Sequence, residues 1–251
     1  MIASCGQTDI GRRRALNEDT IYAQDGLFLV CDGMGGHKAG EVASQLALEA
    51  VVGFVRRSAE DPEMTWPYGY DTTLSYDANR LRTAINLANR IVFRKAASAD
   101  DYTGMGTTVV AAIVPSRRPQ MTYAHVGDSR LYLIRAGVMR QLTRDDTWVN
   151  LNWSETGESE PVESRMKNVL TKALGAREDV EFRVCDQALE DHDIVLLCSD
   201  GLTNMLSDAR ILDIVGTRSP DLEAACQDLV ASANAEGGRD NISVILARYT
   251  A

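Results

Sequence analysis

Very short turns between apolar segments most constrain what this chain can fold into. Asp25-Gly26 and Ala136-Gly137 each separate two strand-like segments. A two-residue turn joins antiparallel strands, whereas parallel strands need a crossover of a dozen or more residues. The sequence therefore predicts antiparallel hairpins. The predicted strands cover residues 20–24, 26–32, 107–114, 121–127, 129–137, 138–143, 180–184, 193–200 and 241–249.

Four segments with helical spacing of apolar residues lie in pairs between these groups of strands. The predicted helices cover residues 39–57, 77–97, 207–217 and 220–236. One face of the first carries Val42, Leu46, Ala50 and Phe54, and one face of the second carries Leu81, Ile85, Ala88 and Val92. Helices grouped in pairs between antiparallel strands favour an α+β layered sandwich over a doubly wound sheet. A length of 251 residues predicts a single domain, 1–251.

The composition excludes some partners and suggests a compartment. A net charge of −10 argues against broad contact with nucleic acid or an anionic membrane. The five cysteines are odd in number and form no CxxC pair, and Cys31 and Cys198 lie in apolar segments. This usage suggests a reducing compartment. The chain begins without the apolar segment of a signal peptide, and its apolar runs are too short to span a bilayer, so a cytoplasmic protein is expected.

Four aspartates occupy matching places at the ends of predicted strands. Asp32, Asp128 and Asp200 end apolar segments, and Asp240 immediately precedes one. If these ends gather at one edge of the sandwich, the carboxylates repel and raise one another's pKa. Hard divalent cations such as Mg²⁺ and Mn²⁺ relieve that repulsion, because they prefer oxygen ligands. The pattern therefore suggests a metal site.

A cationic segment accompanies the acids. Arg14 lies four residues before Glu18 and five before Asp19. An arginine near metal-bound acids is suited to hold a phosphate through two parallel hydrogen bonds, so the set suggests phosphoryl chemistry. Taken singly, each feature has a simpler interpretation: Asp-Gly is usually a turn, and an arginine within RRR is usually a solvated charge. The order of the features and their places at strand ends carry the hypothesis.

The ordered motifs resemble a known family. They are RALNED, CDGMGGHKAGEVAS, GMGTT, HVGDSRLYLIR, LLCSDGLTNML and GGRDNISVIL. Together they resemble the metal-dependent serine/threonine protein phosphatases of the type-2C (PPM) class, in the bacterial form, from about Gln7 to Tyr249. The resemblance implies a four-layer α-β-β-α sandwich of two antiparallel sheets, with a two-metal site at one sheet edge. It also implies hydrolysis of phosphoserine and phosphothreonine by a metal-bridging water or hydroxide.

The resemblance assigns roles to particular residues. Two cations, Mn²⁺ or Mg²⁺, are expected, with Asp32 as the bridge between them. The catalytic residues it implies are Arg14, which would hold the substrate phosphate, Asp32 and Asp200. The metal ligands it implies are Asp32, Gly33 through its carbonyl, Asp200 and Asp240, with Glu18 and Asp19 acting through water and Asp128 binding a third, weaker cation.

The sequence departs from the family pattern in two places. Met34 stands where several eukaryotic members have a histidine that is a candidate proton donor, and His37 receives no role. The segment 144–167 corresponds to a flap that often supplies another acid to the third cation. Asp145, Asp146 and Glu163 are all open candidates for that acid.

Partners and rival functions follow from the same resemblance. Phosphoprotein substrates are expected, with a serine/threonine kinase and its targets as the counterpart, and a monomer as the family's common state. One alternative is a pseudophosphatase that binds a partner without catalysis. Another is a phosphatase for small phosphoesters or phosphotyrosine. The insert 58–76, with Trp66, Tyr68 and Tyr70, is either a docking surface or packed against the sandwich.

Overall fold

The computed structural model describes residues 1–36, 39–61, 63–115, 118–148 and 169–251. The strands are β1 (Ile2–Asp9), β2 (Asp19–Gln24), β3 (Leu27–Met34), β4 (Gly106–Thr107), β5 (Val109–Ile113), β6 (Gln120–Val126), β7 (Arg130–Arg135), β8 (Val138–Gln141), β9 (Val184–Ala188), β10 (Ile194–Cys198) and β11 (Ile242–Tyr249). The helices are α1 (Ala39–Glu60), α2 (Tyr76–Ala96), α3 (Asp200–Thr203), α4 (Asp208–Arg218) and α5 (Leu222–Ala235), with a 3-10 turn at Asp100–Tyr102.

The strands form two antiparallel sheets. One has the order β1-β11-β10-β7-β8, and the other has the order β2-β3-β5-β6-β9 with β4 paired to β3. Asp25 and Gly26 both adopt positive φ (55° and 73°), as do Ala136 and Gly137 (49° and 77°). Positive φ at both central residues is the geometry of the tight turn that matches strand twist, so the predicted hairpins are confirmed.

Three apolar layers hold the sandwich together. The middle layer joins the inner faces of the two sheets and includes Phe28, Leu131 and Leu197. A second layer packs α1 and α2 on the sheet that contains β3, and a third packs α4 and α5 on the sheet that contains β10. Sheets covered by helices on their outer faces give the order α-β-β-α, and the predicted fold class is confirmed.

The face of α2 was predicted correctly, but that of α1 is rotated by about one residue. Leu81, Ile85, Ala88 and Val92 are all buried. In α1 the fully buried positions are Ala43, Ala47, Val51 and Phe54, whereas Val42, Leu46 and Ala50 are only half-buried. The small residues face inward because α1 packs closely against both α2 and the sheet.

Two strand predictions need correction. No strand was predicted at β1. Its segment IASCGQTD contains no fully buried residue and lies at a sheet edge, so it lacks the apolar run of the inner strands. The strand predicted at 180–184 begins only at Val184, where Ala124 of β6 pairs with it. Pairing with β6, rather than the apolar alternation of VEFRV, decides where this strand begins.

The cysteines also differ from expectation. Cys5 of β1 and Cys226 of α5 form a disulfide, although 221 residues separate them. Cys31, Cys185 and Cys198 are free, and Cys31 and Cys198 are buried. Two of the five cysteines are therefore joined, and the other three remain thiols.

The aromatic insert packs on the sandwich. The Trp66 ring makes edge contacts with Phe54, Tyr70 and Tyr76, at centroid distances of 5.7, 5.2 and 5.8 Å. The Tyr68 hydroxyl donates to the Asn86 carbonyl at 3.3 Å. These contacts favour packing over a free docking surface for most of the insert. Within the described part of the chain, no helix has the length and apolar character needed to cross a membrane.

Candidate active site

One acidic cavity of about 190 Å³ lies where the ends of strands from both sheets meet. It is lined by Arg14, Glu18, Asp32, Gly33, Met34, Gly35, Thr108, Asp128, Leu170, Asp200 and Asp240. Every site residue that the sequence suggested lines this cavity except Asp19. That residue lies behind it, directly opposite Asp32 in the β2–β3 pair.

The position of Asp32 is held through its backbone. Its N–H donates to Thr108 Oγ1 at 3.1 Å, and its carbonyl accepts from the Thr107 hydroxyl and the Thr108 N–H, both at 2.8 Å. Three hydrogen bonds to one neighbouring segment fix the backbone of Asp32, so its side chain is presented from a rigid strand end.

Two glycines allow chains to approach closely beside the acids. A Cβ on Gly33 would lie 2.1 Å from the Gly40 carbonyl oxygen, and one on Gly201 would lie 1.9 Å from that of Asn241. Neither position has room for a side chain, because the obstructing atoms are backbone. The Gly-after-Asp pattern in the sequence therefore marks close approach of neighbouring backbone segments.

Asp200 begins helix α3 at the end of β10. Its Oδ2 accepts a hydrogen bond of 2.9 Å from the Asn204 side chain, one helical turn later. Its Oδ1 is buried and has no hydrogen-bond partner among the described residues. Asn204 thus fixes the carboxylate so that one oxygen remains available.

Arg14 and Asp240 face each other across the rim. Arg14 Nη2 lies 2.7 Å from Asp240 Oδ2, and the Arg14 side chain is 48% exposed. The Asp240 Oδ1 accepts the N–H of Asn241 at 2.9 Å. The carboxylate is therefore oriented by its neighbour, while the guanidinium remains accessible at the cavity mouth.

Asn241 holds the loop that carries Arg14. Its side-chain amide donates to the carbonyls of Ile10 (3.0 Å) and Leu16 (2.9 Å), and its Oδ1 accepts the Glu18 N–H at 2.9 Å. The residue is only 4% exposed. All three hydrogen bonds go to the backbone of residues 10–18, so this one side chain anchors the Arg14 loop to β11.

Burial and mutual repulsion raise the pKa values of four aspartates at this site. Burial raises the pKa of Asp19 and of Asp200 to about 6 each, helped by the charges of neighbouring aspartates. Burial, with the charges of Asp200 and Asp145, raises the pKa of Asp128 to about 7. Burial first, and the charge of Asp19 next, hold the pKa of Asp32 well above its usual value. The site is therefore short of positive charge.

Glu18 also lies within the influence of Arg14. Burial raises its pKa, while the charge of Arg14 acts in the opposite direction. Asp19 is held by the Ser199 hydroxyl, which donates to its Oδ2 at 2.8 Å. The structure thus separates two neighbouring acids: Glu18 lines the cavity, and Asp19 supports it from behind.

The candidates for a third-cation acid are engaged elsewhere. The Arg130 guanidinium binds Asp145 in a fork, with N–O distances of 2.8 to 3.1 Å. Asp146 accepts the Gly127 N–H at 3.2 Å and lies 3.4 Å from Lys172 Nζ. Neither lines the cavity. Glu163, most of the predicted flap 144–167 and His37 lie outside the described residues.

The donor set of the cavity fits divalent cations. Glu18 Oε1, Asp19 Oδ1 and Asp200 Oδ1 are buried oxygens without a hydrogen-bond partner among the described residues. Buried carboxylate oxygens left unpaired are costly unless a cation or water completes them. Across the described ranges, no three Asp, Glu, His or Cys side chains are close enough to enclose an ion by themselves. A cation held here would therefore take part of its ligand shell from water.

Three site residues were missed in the sequence. Asn204 has a local signal, since it follows Asp200 by four residues at a helix start. Asn241 and Ser199 have none, because the atoms that they bind lie 180 to 231 residues away in the chain. Met34 does line the cavity, so a side chain that cannot donate a proton occupies that wall.

Comparisons with known proteins agree with this geometry. Residues 8–247 match the family model described as protein phosphatase 2C. The chain is 37% identical over 251 residues to the serine/threonine phosphatase stp of Listeria innocua, covering 96% of this chain and 93% of that protein. It is 35% identical over 244 residues to the serine/threonine protein phosphatase PstP of Mycobacterium tuberculosis, covering 96% of this chain and 44% of that protein.

Solved structures give the same result. A crystal structure of the Mycobacterium tuberculosis serine/threonine phosphatase PstP/Ppp matches with a TM-score of 0.84 and 32% identity, covering 100% of this chain and 99% of that one. A structure of the PstP catalytic domain in complex with two manganese ions matches with a TM-score of 0.82 and 32% identity, over the same shares of the two chains.

Proposed function

Because the chain belongs to the protein phosphatase 2C family, we propose that its acidic cavity is the centre at which a phosphoserine or phosphothreonine side chain loses its phosphate. The enzyme is a metal-dependent protein serine/threonine phosphatase that uses two divalent cations, Mn²⁺ or Mg²⁺. The assignment of individual residues to this chemistry is the proposal. The observation that carries it is the set of buried carboxylate oxygens that have no hydrogen-bond partner among the described residues, beside an exposed arginine.

Five residues are proposed as the direct ligands. Asp32 would hold both cations, because it lines the cavity among the acids whose charges raise its pKa. The Gly33 carbonyl would contribute to one cation, and Asp200 and Asp240 would hold the other. Asp128 lies on the cavity wall near Asp200 and is the proposed ligand of a third.

Two further acids are proposed to act through water. Glu18 lines the cavity, and no described residue binds its Oε1. Asp19 is buried behind Asp32, with Oδ2 bound to Ser199 and with no partner for Oδ1 in the described part of the chain. Their placement supports Glu18 as the nearer of the two. When bound, the cations lower the pKa of water and neutralise charge on the phosphoryl oxygens.

The chain's own residues bind and orient the substrate. Arg14 presents an accessible planar fork at the rim, suited to two parallel hydrogen bonds with a phosphate. Asn241 keeps that arginine in place by holding its loop. Asn204 orients Asp200. The small cavity admits a phosphoryl group but not the peptide that carries it, so the rest of the substrate lies at the rim.

The wider setting is also proposed. A phosphatase for these substrates requires a serine/threonine kinase to supply them, so that kinase and its targets are the proposed partners. ATP places such a kinase in the cytoplasm, and the enzyme is proposed to act there as a single-domain monomer. Sedimentation of the purified chain tests the monomer.

The residue assignment is tested with two variants and one control. Asp32→Ala should abolish Mn²⁺-dependent phosphate release from a phosphothreonine peptide and weaken Mn²⁺ binding in calorimetry. Arg14→Ala should raise KM about tenfold or more and leave Mn²⁺ affinity nearly unchanged. Arg56→Ala is the matched control, because Arg56 is equally exposed and also paired with an aspartate, Asp25. Activity that survives chelation or Asp32→Ala would overturn the assignment.

A further inference from the structure

Three further arginines lie on the two adjoining loops that carry Arg14 and Asp240. Arg12 and Arg13 precede Arg14 directly, and Arg239 precedes the cavity residue Asp240. We refer to Arg12, Arg13 and Arg239 as the arginine rim. All three are exposed, in a chain whose net charge is −10. A local concentration of positive charge on an acidic protein points to a ligand of opposite sign.

The two loops of the arginine rim are built against each other. The Arg12 N–H donates to the Gly238 carbonyl at 2.7 Å. A Cβ on Gly11 would lie 2.2 Å from the Asp240 carbonyl oxygen, so the loops pack without space between them. Asp9 Oδ1 accepts the Gly11 N–H at 2.8 Å and the Asn234 amide at 2.9 Å, which ties the same loop to α5. The backbone that presents these arginines is therefore fixed.

The guanidinium groups of the arginine rim are not used within the described structure. The ion pairs formed among the described residues include Arg14 but none of these three arginines. No described residue accepts a side-chain hydrogen bond from them either. The backbone of these loops is fixed, and the guanidinium groups have no partner among the described residues. This arrangement favours binding of an anionic ligand from outside the chain.

The chemistry of the arginine rim favours phosphate over carboxylate. The positively charged side chains of the arginine rim are all arginines. The rigid, planar guanidinium group of arginine binds phosphate oxygens through two parallel hydrogen bonds. Consecutive Cα atoms are about 3.8 Å apart. The Cα atom of Arg13 therefore lies that close to the Cα atom of Arg14, which is proposed to hold the reacting phosphate. An extended peptide advances about 3.3–3.6 Å per residue, so a group two or three residues from the reacting one lies about 7–11 Å away.

We propose that the arginine rim binds a second phosphate on the same phosphoprotein segment, a few residues from the phosphate being removed. The proposal rests on the proposed function and adds a substrate preference to it. Segments phosphorylated at two nearby residues are then better substrates than segments phosphorylated at one.

The test compares peptides of one sequence that carry a hydrolysable phosphothreonine. One has no other charge nearby, one has a non-hydrolysable phosphonate two or three residues away, and one has glutamate in that place. The phosphonate peptide should have a kcat/KM about fivefold to tenfold above that of the neutral peptide, because several exposed ionic contacts each add a small factor. The preference should shrink as salt is added.

Two triple variants locate the effect. R12A/R13A/R239A should reduce the preference to less than about twofold. R57A/R94A/R183A removes the same charge from exposed arginines elsewhere and should keep it. Phosphate release from the neutral peptide by the wild type with Mn²⁺ tests the proposed function separately. Equal rates on the neutral and phosphonate peptides, a preference that survives the rim substitutions, or an equal preference for glutamate would overturn the proposal.

Discussion

The two ends of strand β10 carry carboxylates in opposite situations. Asp193, just before the strand, is 1% exposed, and both of its oxygens are bound: Arg135 Nε and Nη2 lie at 2.8 and 2.6 Å, and the Glu190 N–H at 2.7 Å. Asp200, just after the strand, has a buried oxygen with no described partner. A place at a strand end therefore does not by itself distinguish the two aspartates. The buried Asp200 oxygen without a partner among the described residues does.

The largest effect is expected from Asp200→Asn. The change removes a charge that a cation needs while keeping the size of the side chain, so kcat/KM with Mn²⁺ should fall at least about hundredfold. Calorimetry should show weaker Mn²⁺ binding. The metal-free variant should melt no lower than the wild type, because repulsion among the acids is reduced. If Asp200→Asn lowered stability but left kcat/KM unchanged, Asp200 would have a structural role like that of Asp193, and the assignment would be wrong.

The matched change at the start of β10, Asp193→Asn, should lower stability and leave activity unchanged. It leaves the Arg135 fork without its buried counter-charge and should lower the free energy of unfolding by about 2–3 kcal/mol. Denaturant titration measures that loss. The kcat/KM of the folded fraction should stay within about twofold of the wild type. A large fall in kcat/KM of Asp193→Asn without loss of stability would show that Asp193, like Asp200, acts in catalysis and not in folding.

A smaller effect concerns pH. The pKa values of Asp19, Asp200 and Asp128 in the folded protein, about 6, 6 and 7, lie above the values near 4 of an unfolded chain. Acids of this kind favour the folded state while protonated and lose that contribution as pH rises from about 4 to 7. In metal-free protein these acids therefore destabilise the fold at pH 8 relative to pH 5.

Melting curves with and without Mn²⁺ measure this. The increase in Tm that Mn²⁺ produces should be larger at pH 8 than at pH 5 by about 3 °C or more, since protons compete with the cation at low pH. Asp200→Asn should reduce that difference. An equal increase at both pH values would show that the acids do not titrate in this range.

Local patterns in the sequence predicted the hairpins and most of the acids. Asp25-Gly26 dictates its turn through backbone preferences alone, and Asp32 stands out because an apolar strand ends there. By contrast, nothing near Asn241 shows that it binds a loop more than 220 residues away. Asp193 and Asp200 look alike in the sequence, because the difference lies in Arg135, which another strand contributes.

The edge strand β1, the buried face of α1 and the disulfide pair were harder to predict, because each depends on contacts between residues far apart in the chain. The strand β1 pairs on one side only, with β11, and none of its residues is fully buried. The face of α1 that becomes buried is decided by the close packing of α2 against it. The α1 sequence alone does not indicate where α2 will pack. Pairing of Cys5 with Cys226 likewise depends on where α5 packs. Long-range packing decides all three.

The cavity draws Asp32 from one sheet and Asp200 and Asp240 from the ends of strands in the other. Ligand distances at metal centres are tolerated only within about 0.2 Å, and Mg²⁺ is the more demanding ion. The middle apolar layer, which includes Phe28 and Leu197, therefore sets how far apart the two sheets hold these carboxylates. Substitutions that change the thickness of this layer would alter the spacing of the acids without touching the cavity.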